Sequence, residues 1–299
     1  MLADKIRVGI RGAILLHREF GVSYFNILKS LLKKDKTITI HVKNVSITKN
    51  IYEALYITKS LQNIEKNNWR ISNVVSNLVI YENKQRGIKL YTRTDNSLDF
   101  SFVVDEVFVQ EVYKADFKNK VVIDVGAYLG ESAIYFAING AKKVIALEPD
   151  EENYKLALMN IKENGLDNKI VLLNNALAPK EGVINLYRYS YPSDLGSTDS
   201  DNMPKHDFDK LIVKQVEATT LDRLIKISGE ERIGLLKLDC EGCEYSILNS
   251  FSNFDVIENI VLEYHNGLQN LPIMLKDRGF KIAIEKRNEK LGILRAFKK

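Results

Sequence analysis

The chain has two cysteines, five prolines and one tryptophan in 299 residues. Two cysteines cannot build a disulfide scaffold, and nothing in their number points to an oxidising compartment, so the cytosol is the expected location. Proline and glycine are too sparse for a collagen-like or low-complexity chain. No uninterrupted stretch approaches the roughly 18 apolar residues a membrane span requires. The apolar N-terminal stretch is broken by Arg7, Arg11 and His17, so neither a span nor a cleavable signal is expected. Internal repeats are missing too.

What is present is ordinary globular material, 45% hydrophobic and 27% charged, enough for a sizeable core in one large or two smaller domains. The net charge of +4 hides an asymmetry: residues 1–120 hold 20 basic and 12 acidic side chains, and residues 121–299 hold 23 and 27. The N-terminal region, placed at 1–100, reads as a separate α+β unit. A helical period runs over 12–34, followed by an alternating strand over 37–45, a helix over 52–69, and strands at 78–81 and 88–91. Segment 101–114 ends in a helix leading into the second region, 101–299.

From Lys120 onward, apolar runs alternate with amphipathic helical stretches, the signature of a parallel sheet covered on both faces. The runs are 121–125, 144–148, 170–174, 233–239, 260–264, 280–284 and 292–297, with helices predicted over 130–139, 150–164, 220–228, 243–250 and 268–278. The last two runs are joined by a short polar segment and read as an antiparallel hairpin. Residues 176–219 form an insertion with one predicted strand, 183–189, and a long polar stretch, 190–209, expected to act as a lid or substrate loop.

Asp124 closes the first run and is followed by Gly126-Ala-Tyr128-Leu-Gly130 and a helix opening at Glu131-Ser132. Glycines permit a tight turn and close ligand approach, and free N–H groups at a helix start bind anionic groups. Tyr128 stands where a dinucleotide fingerprint would need its second glycine, which disfavours a bound pyrophosphate. Glu148 closes the second run, where a carboxylate can accept from both hydroxyls of a ribose. At the end of the third run, Asn174-Asn175-Ala176 offers an amide that could read an adenine edge. Together these features point to a nucleoside-bearing cofactor.

Combined with LLKLDCEGCEYSIL at 235–248, these residues resemble the FkbM family of S-adenosylmethionine-dependent methyltransferases. The matching motifs are Asp124-x-Gly126-Ala-x-x-Gly130-Glu131, Glu148-Pro149, Thr220-Leu-Asp222 and Lys237-x-Asp239-x-Glu241-Gly242-x-Glu244. The resemblance covers about residues 100–297. It implies a class I, Rossmann-like α/β fold with a seven-stranded, mostly parallel sheet in the order 3-2-1-4-5-7-6. It also implies S-adenosylmethionine as methyl donor and a hydroxyl of a glycan, lipid or other small molecule as acceptor. The cofactor-binding set is then Asp124, Gly126, Tyr128, Gly130, Glu131, Ser132, Glu148, Asn175, Ala176 and Asp239. The N-terminal hundred residues inherit nothing from it.

Methyl transfer to a hydroxyl requires alignment and a proton acceptor. Lys237, Asp239 and Glu241 alternate at the end of the fourth run and share one direction if the strand continues that far. Glu263 and His265 do the same on the fifth. The catalytic expectation is therefore His265, Asp239, Glu241 and Lys237, with His265 as base on its ordinary pKa near 6.5. Asp239 and Glu241 could instead hold a divalent metal, a question the spacing leaves open. Cys240 and Cys243 supply only half of a zinc site and are read as small packing residues. Two competing readings remain. One is an RNA methyltransferase using the basic N-terminal region, weakened by the absence of adjacent prolines for an amino-methylation motif. The other is a non-catalytic cofactor-binding protein. Basic residues 29–36 suit a membrane-surface or subunit contact equally well.

Overall fold

The computed structural model describes residues 37–42, 45–94, 99, 102–189, 196–198 and 211–298. The predicted helix over 12–34, the basic stretch 29–36, His17, His206 and most of the polar stretch 190–209 lie outside them. The chain divides into two compact units, Met1–Gln110 and Glu111–Lys299.

In the first unit, β1 (Thr37–Val42) and β2 (Val45–Asn50) form an antiparallel pair where the sequence predicts one strand. Helix α1 (Ile51–Lys66) buries Ala54, Ile57 and Ile64 along one face, as its period requires. It stops short of the predicted end because Asn68, in the left-handed region at φ 66°, turns the chain into β3 (Trp69–Val75). That strand was not expected. It pairs with β4 (Leu78–Asn83), which pairs with β5 (Ile88–Arg93), all antiparallel. Buried Trp69 packs on Phe108 with ring centroids 4.9 Å apart.

The second unit is built on seven strands: β6 (Val121–Val125), β7 (Lys143–Leu147), β8 (Ile170–Leu173), β13 (Ile233–Leu238), β14 (Ile257–Tyr264), β15 (Lys281–Lys286) and β16 (Gly292–Phe297). Their order is β8-β7-β6-β13-β14-β16-β15. Counted among themselves this is 3-2-1-4-5-7-6, the order the resemblance implies. The first five are parallel and β16 runs antiparallel to both its neighbours, confirming the terminal hairpin. Every residue of β6 and β13 is buried, which explains their unbroken apolar runs.

Helices α2 (Glu131–Ile138), α3 (Glu151–Glu163), α4 (Leu221–Ser228), α5 (Cys243–Ser250) and α6 (Leu271–Asp277) connect them close to the predicted spans. Two starts are capped by side chains, Asp150 accepting from Glu152 and Asn153 N–H and Thr220 from Arg223 N–H. The chain order reverses between β6 and β13, which opens a crevice at the carboxyl ends of the strands.

Among its described residues, the insertion holds more strands than the one expected. β9 (Ala176–Leu177), β10 (Gly182–Tyr189), β11 (Gly196–Ser197) and β12 (Leu211–Thr219) form a second sheet, with β10 and β12 antiparallel over their whole length. β12 escaped prediction because Val213 faces solvent while Lys214 is half-buried, so apolar alternation fails there.

Candidate active site

β6 delivers Asp124 and then the glycine turn to the crevice. Gly126 has φ 76°, and a Cβ there would overlap the carbonyl oxygen of Asp239. The turns after β6 and β13 therefore touch backbone to backbone, and only glycine fits. Gly130, at φ 82°, opens α2. Tyr128 adopts φ 48° without being glycine, and its N–H donates to Glu148 Oε2 at 3.0 Å.

Glu148, at the end of β7, is buried. Its Oε1 accepts from Asp150 N–H (2.9 Å) and Asn153 Nδ2 (3.3 Å). Burial dominates these hydrogen bonds and pushes its pKa up to about 7. Asp150 is itself buried, but Arg188 and Lys214 outweigh that and hold its carboxyl below the usual range. Arg188 Nη1 lies 2.9 Å from Asp150 Oδ2 and Lys214 Nζ 3.4 Å, so β10 and β12 are fastened to the start of α3. Sequence reading missed this link, which joins residues 38 and 64 positions apart. Asn174 Nδ2 donates to the carbonyls of Glu148 and Pro149. Asn175 is half-buried between β8 and β9, and Ala176 is buried in β9.

Asp124, Ser132 and Lys237 form a buried group beneath the turn. Ser132 Oγ donates to Asp124 Oδ2 at 2.6 Å, and Lys237 Nζ stands 3.0 Å from Asp124 Oδ1. Lys237 also donates to the carbonyls of Gly126 (2.6 Å) and Val125 (3.2 Å) and sits 4.9 Å from the centre of the Tyr113 ring. Burial alone would lower its pKa, but Asp124 and Asp239 prevail and keep the ammonium above its ordinary value. It is 1% exposed, so Lys237 clamps the turn from below. Glu131 is turned to the same region, its Oε2 accepting from Leu129 N–H at 3.0 Å.

Asp239, Glu241 and His265 do converge. β13 ends at Leu238 and β14 at Tyr264, so the three stand just beyond the strand ends. Glu241 reaches the group through a left-handed backbone at φ 55°, not by strand alternation. His265 Nε2 is 3.3 Å from Glu241 Oε1 and 3.7 Å from Asp239 Oδ1, and its Nδ1 is 3.2 Å from Glu244 Oε1. Burial disfavours the charged ring, but hydrogen bonds to Glu241 and Glu244, with the charge of Asp239, push its pKa up to about 12. The ordinary value of 6.5, on which its reading as a base rested, does not hold in this surrounding. Burial in turn raises the pKa of Glu241. Glu263 stands apart, paired with Arg287 at 2.8 Å.

Two partners of this cluster were not foreseen. Tyr113 donates its hydroxyl to Asp239 Oδ2 at 2.5 Å across 126 positions of sequence. Ser197, in β11 of the insertion, donates to the carbonyl of Glu241 at 2.6 Å. Neither carries a motif, and only the folded chain brings them there. The cysteines need a correction: Cys240 and Cys243 form a disulfide, their Cα atoms 5.5 Å apart. The bridge closes the loop bearing Glu241, which the left-handed backbone at Glu241 and Gly242 folds back on itself.

Comparison with known proteins finds relatives among methyltransferases and a synthetase. Methyltransferase 1 of Beauveria bassiana is 24% identical over 221 residues, covering 66% of this chain and 87% of that protein. The AMB antimetabolite synthetase AmbE of Pseudomonas aeruginosa is 25% identical over 232 residues, covering 63% of this chain and 11% of the synthetase. Among solved structures, TrmK of M. capricolum in complex with S-adenosyl-homocysteine aligns at a TM-score of 0.38 and 14% identity, covering 63% of this chain and 66% of that one. Residues 124–282, from the aspartate before the glycine turn to the first strand of the terminal hairpin, match the Methyltransferase FkbM domain, and the chain belongs to the FkbM methyltransferase family.

Proposed function

We propose that the chain is an S-adenosylmethionine-dependent O-methyltransferase acting on a hydroxyl of a glycan, lipid or other small molecule. The observation that carries this reading is the adjacency of a glycine turn to a cluster of proton-accepting groups. Gly126 lies against the backbone of Asp239, and Asp239 faces His265 beside Glu241.

The residues present fit the cofactor. The tight turn at Gly126, packed on the backbone of Asp239, brings the glycine loop and the acidic cluster to one edge, and Glu148 keeps acceptor capacity beyond its three protein donors for a ribose hydroxyl. When bound, S-adenosylmethionine supplies an activated methyl group on sulfur. Asp124 and Lys237 hold the turn in shape, Glu148 would take the ribose, and Asn175 would offer its amide to the base.

Asp239 and Glu241 are placed to take the proton of the acceptor hydroxyl, and the ring of His265, held in its charged form, orients their carboxylates. A hydroxyl needs such a group, whereas a neutral amine attacks without one. This favours oxygen over nitrogen as the methylated atom.

Calorimetric titration of the purified chain with S-adenosylmethionine tests the cofactor, and absence of binding at millimolar ligand rejects the reading. Transfer of a labelled methyl group into glycan, lipid, RNA and protein fractions of a cell extract tests the acceptor. Label in the glycan or lipid fraction is expected, and label confined to RNA rejects the small-molecule assignment.

A further inference from the structure

We infer that Asp239, Glu241 and His265 form a site for one hard divalent cation of the Mg2+ or Mn2+ type. One ligand atom from each lies within 4.8 Å of the others, and the two distances from His265 Nε2 are 3.3 and 3.7 Å. Six-coordinate ions of this class bind at about 2.1 Å, which puts neighbouring ligand atoms roughly 3 Å apart. A small inward movement of the carboxylates, with release of the Nε2 proton of His265 to solvent as the ion binds, brings all three onto one face of such an ion.

The surroundings orient each ligand toward that point. The hydroxyl of Tyr113 occupies Asp239 Oδ2 and leaves Oδ1 facing the histidine. Glu244 holds Nδ1 of His265, which aims Nε2 at the two carboxylates, the outer carboxylate–histidine arrangement typical of metal ligands. The disulfide and Ser197 hold the loop of Glu241.

Charge supplies the second, independent argument. Glu244 is 0% exposed and its Oε2 has no hydrogen-bond partner among the described residues. Three carboxylates thus surround one imidazole, and Lys237, whose charge also acts on Asp239, is paired with Asp124. A buried acid with an unsatisfied oxygen is costly unless a cation stands nearby. A divalent ion supplies that charge where the imidazole alone supplies at most one.

Three protein ligands leave positions on the ion for oxygens of the acceptor, so on the proposed methyl-transfer reading the ion would orient and acidify the hydroxyl, whose proton would pass to a carboxylate oxygen of the cluster that does not ligate the ion. The acceptor class then narrows to molecules offering two neighbouring oxygens.

The test uses the full chain, stripped with chelator and titrated with Mn2+ under electron paramagnetic resonance detection. One saturable Mn2+ per chain is expected, displaced by Mg2+. Asp239→Asn and Glu241→Gln should each weaken Mn2+ binding at least about tenfold, and Glu244→Gln about 10- to 100-fold. Asp255→Asn, at an exposed carboxylate, should leave it unchanged. Circular dichroism identifies any variant that fails to fold, and Glu241→Gln, at a loop position, keeps the test decisive if Asp239→Asn does. No saturable binding, or binding indifferent to these substitutions, overturns the site. S-adenosylhomocysteine calorimetry on the same sample separates the two readings. Ligand binding without Mn2+ removes only the metal site, and Mn2+ without ligand removes only the methyltransferase assignment.

Discussion

Lys237 and Asp124 face each other across adjacent strands, paired in register and 3.0 Å apart, with both side chains removed from solvent. Lys237→Met leaves Asp124 as an uncompensated buried charge and should lower unfolding free energy by about 3–5 kcal/mol. The double variant Lys237→Met/Asp124→Asn should recover part of that loss. Chemical denaturation of the three proteins measures it, and additive effects would show the pair to be uncoupled.

On the proposed reading, Glu148 should make cofactor affinity depend on pH. Its folded pKa of about 7 lies above the ordinary 4.5, so the stability it contributes is fully present below about pH 4.5 and is lost as pH rises through 7. Affinity runs the other way, because a ribose hydroxyl donates to the ionised carboxylate. Below pH 7 the S-adenosylhomocysteine association constant should fall toward tenfold per unit. Calorimetry from pH 5.5 to 8.5 checks this, and Glu148→Gln should bind weakly with a flat profile.

His265 touches the carboxylates of the cluster and not the glycine turn. His265→Ala should slow methyl transfer by about 10²- to 10⁴-fold while changing S-adenosylhomocysteine affinity less than about twofold. Single-turnover transfer rates and calorimetry provide the two readouts. Turnover equal to the unaltered enzyme would exclude His265 from the chemistry.

The Cys240–Cys243 bridge should leave no thiol reactive in denaturant and two after reduction, counted with a chromogenic thiol reagent. Because it closes a ring around only two residues, Cys240→Ser/Cys243→Ser should cost less than about 2 kcal/mol in stability. Turnover should suffer more, since the bridge steadies the backbone that presents Glu241.

The elements of the catalytic unit were legible because their signals are local. Five apolar runs with no polar alternation require burial on both faces, amphipathic periods mark the helices from 150 and 220, and the short polar link before Gly292 requires a hairpin. Aspartate, glycine and glutamate at the strand ends are equally local, and with them the family. Local pattern failed where apolar alternation did, at β12, and where a hairpin shared one stretch of similar residues, at β1 and β2.

What each charged side chain does was decided only by the tertiary structure. Lys237 and Asp239 sit two positions apart and look alike as candidates in the sequence. Register with β6 gives the lysine to Asp124, while Tyr113 and His265 claim the aspartate from 126 and 26 positions away. A side chain's protonation and partners depend on groups brought within a few ångströms by the packing of the sheet. Neither periodicity nor motif spacing carries that distance, so the chemistry of the site belongs to the folded chain.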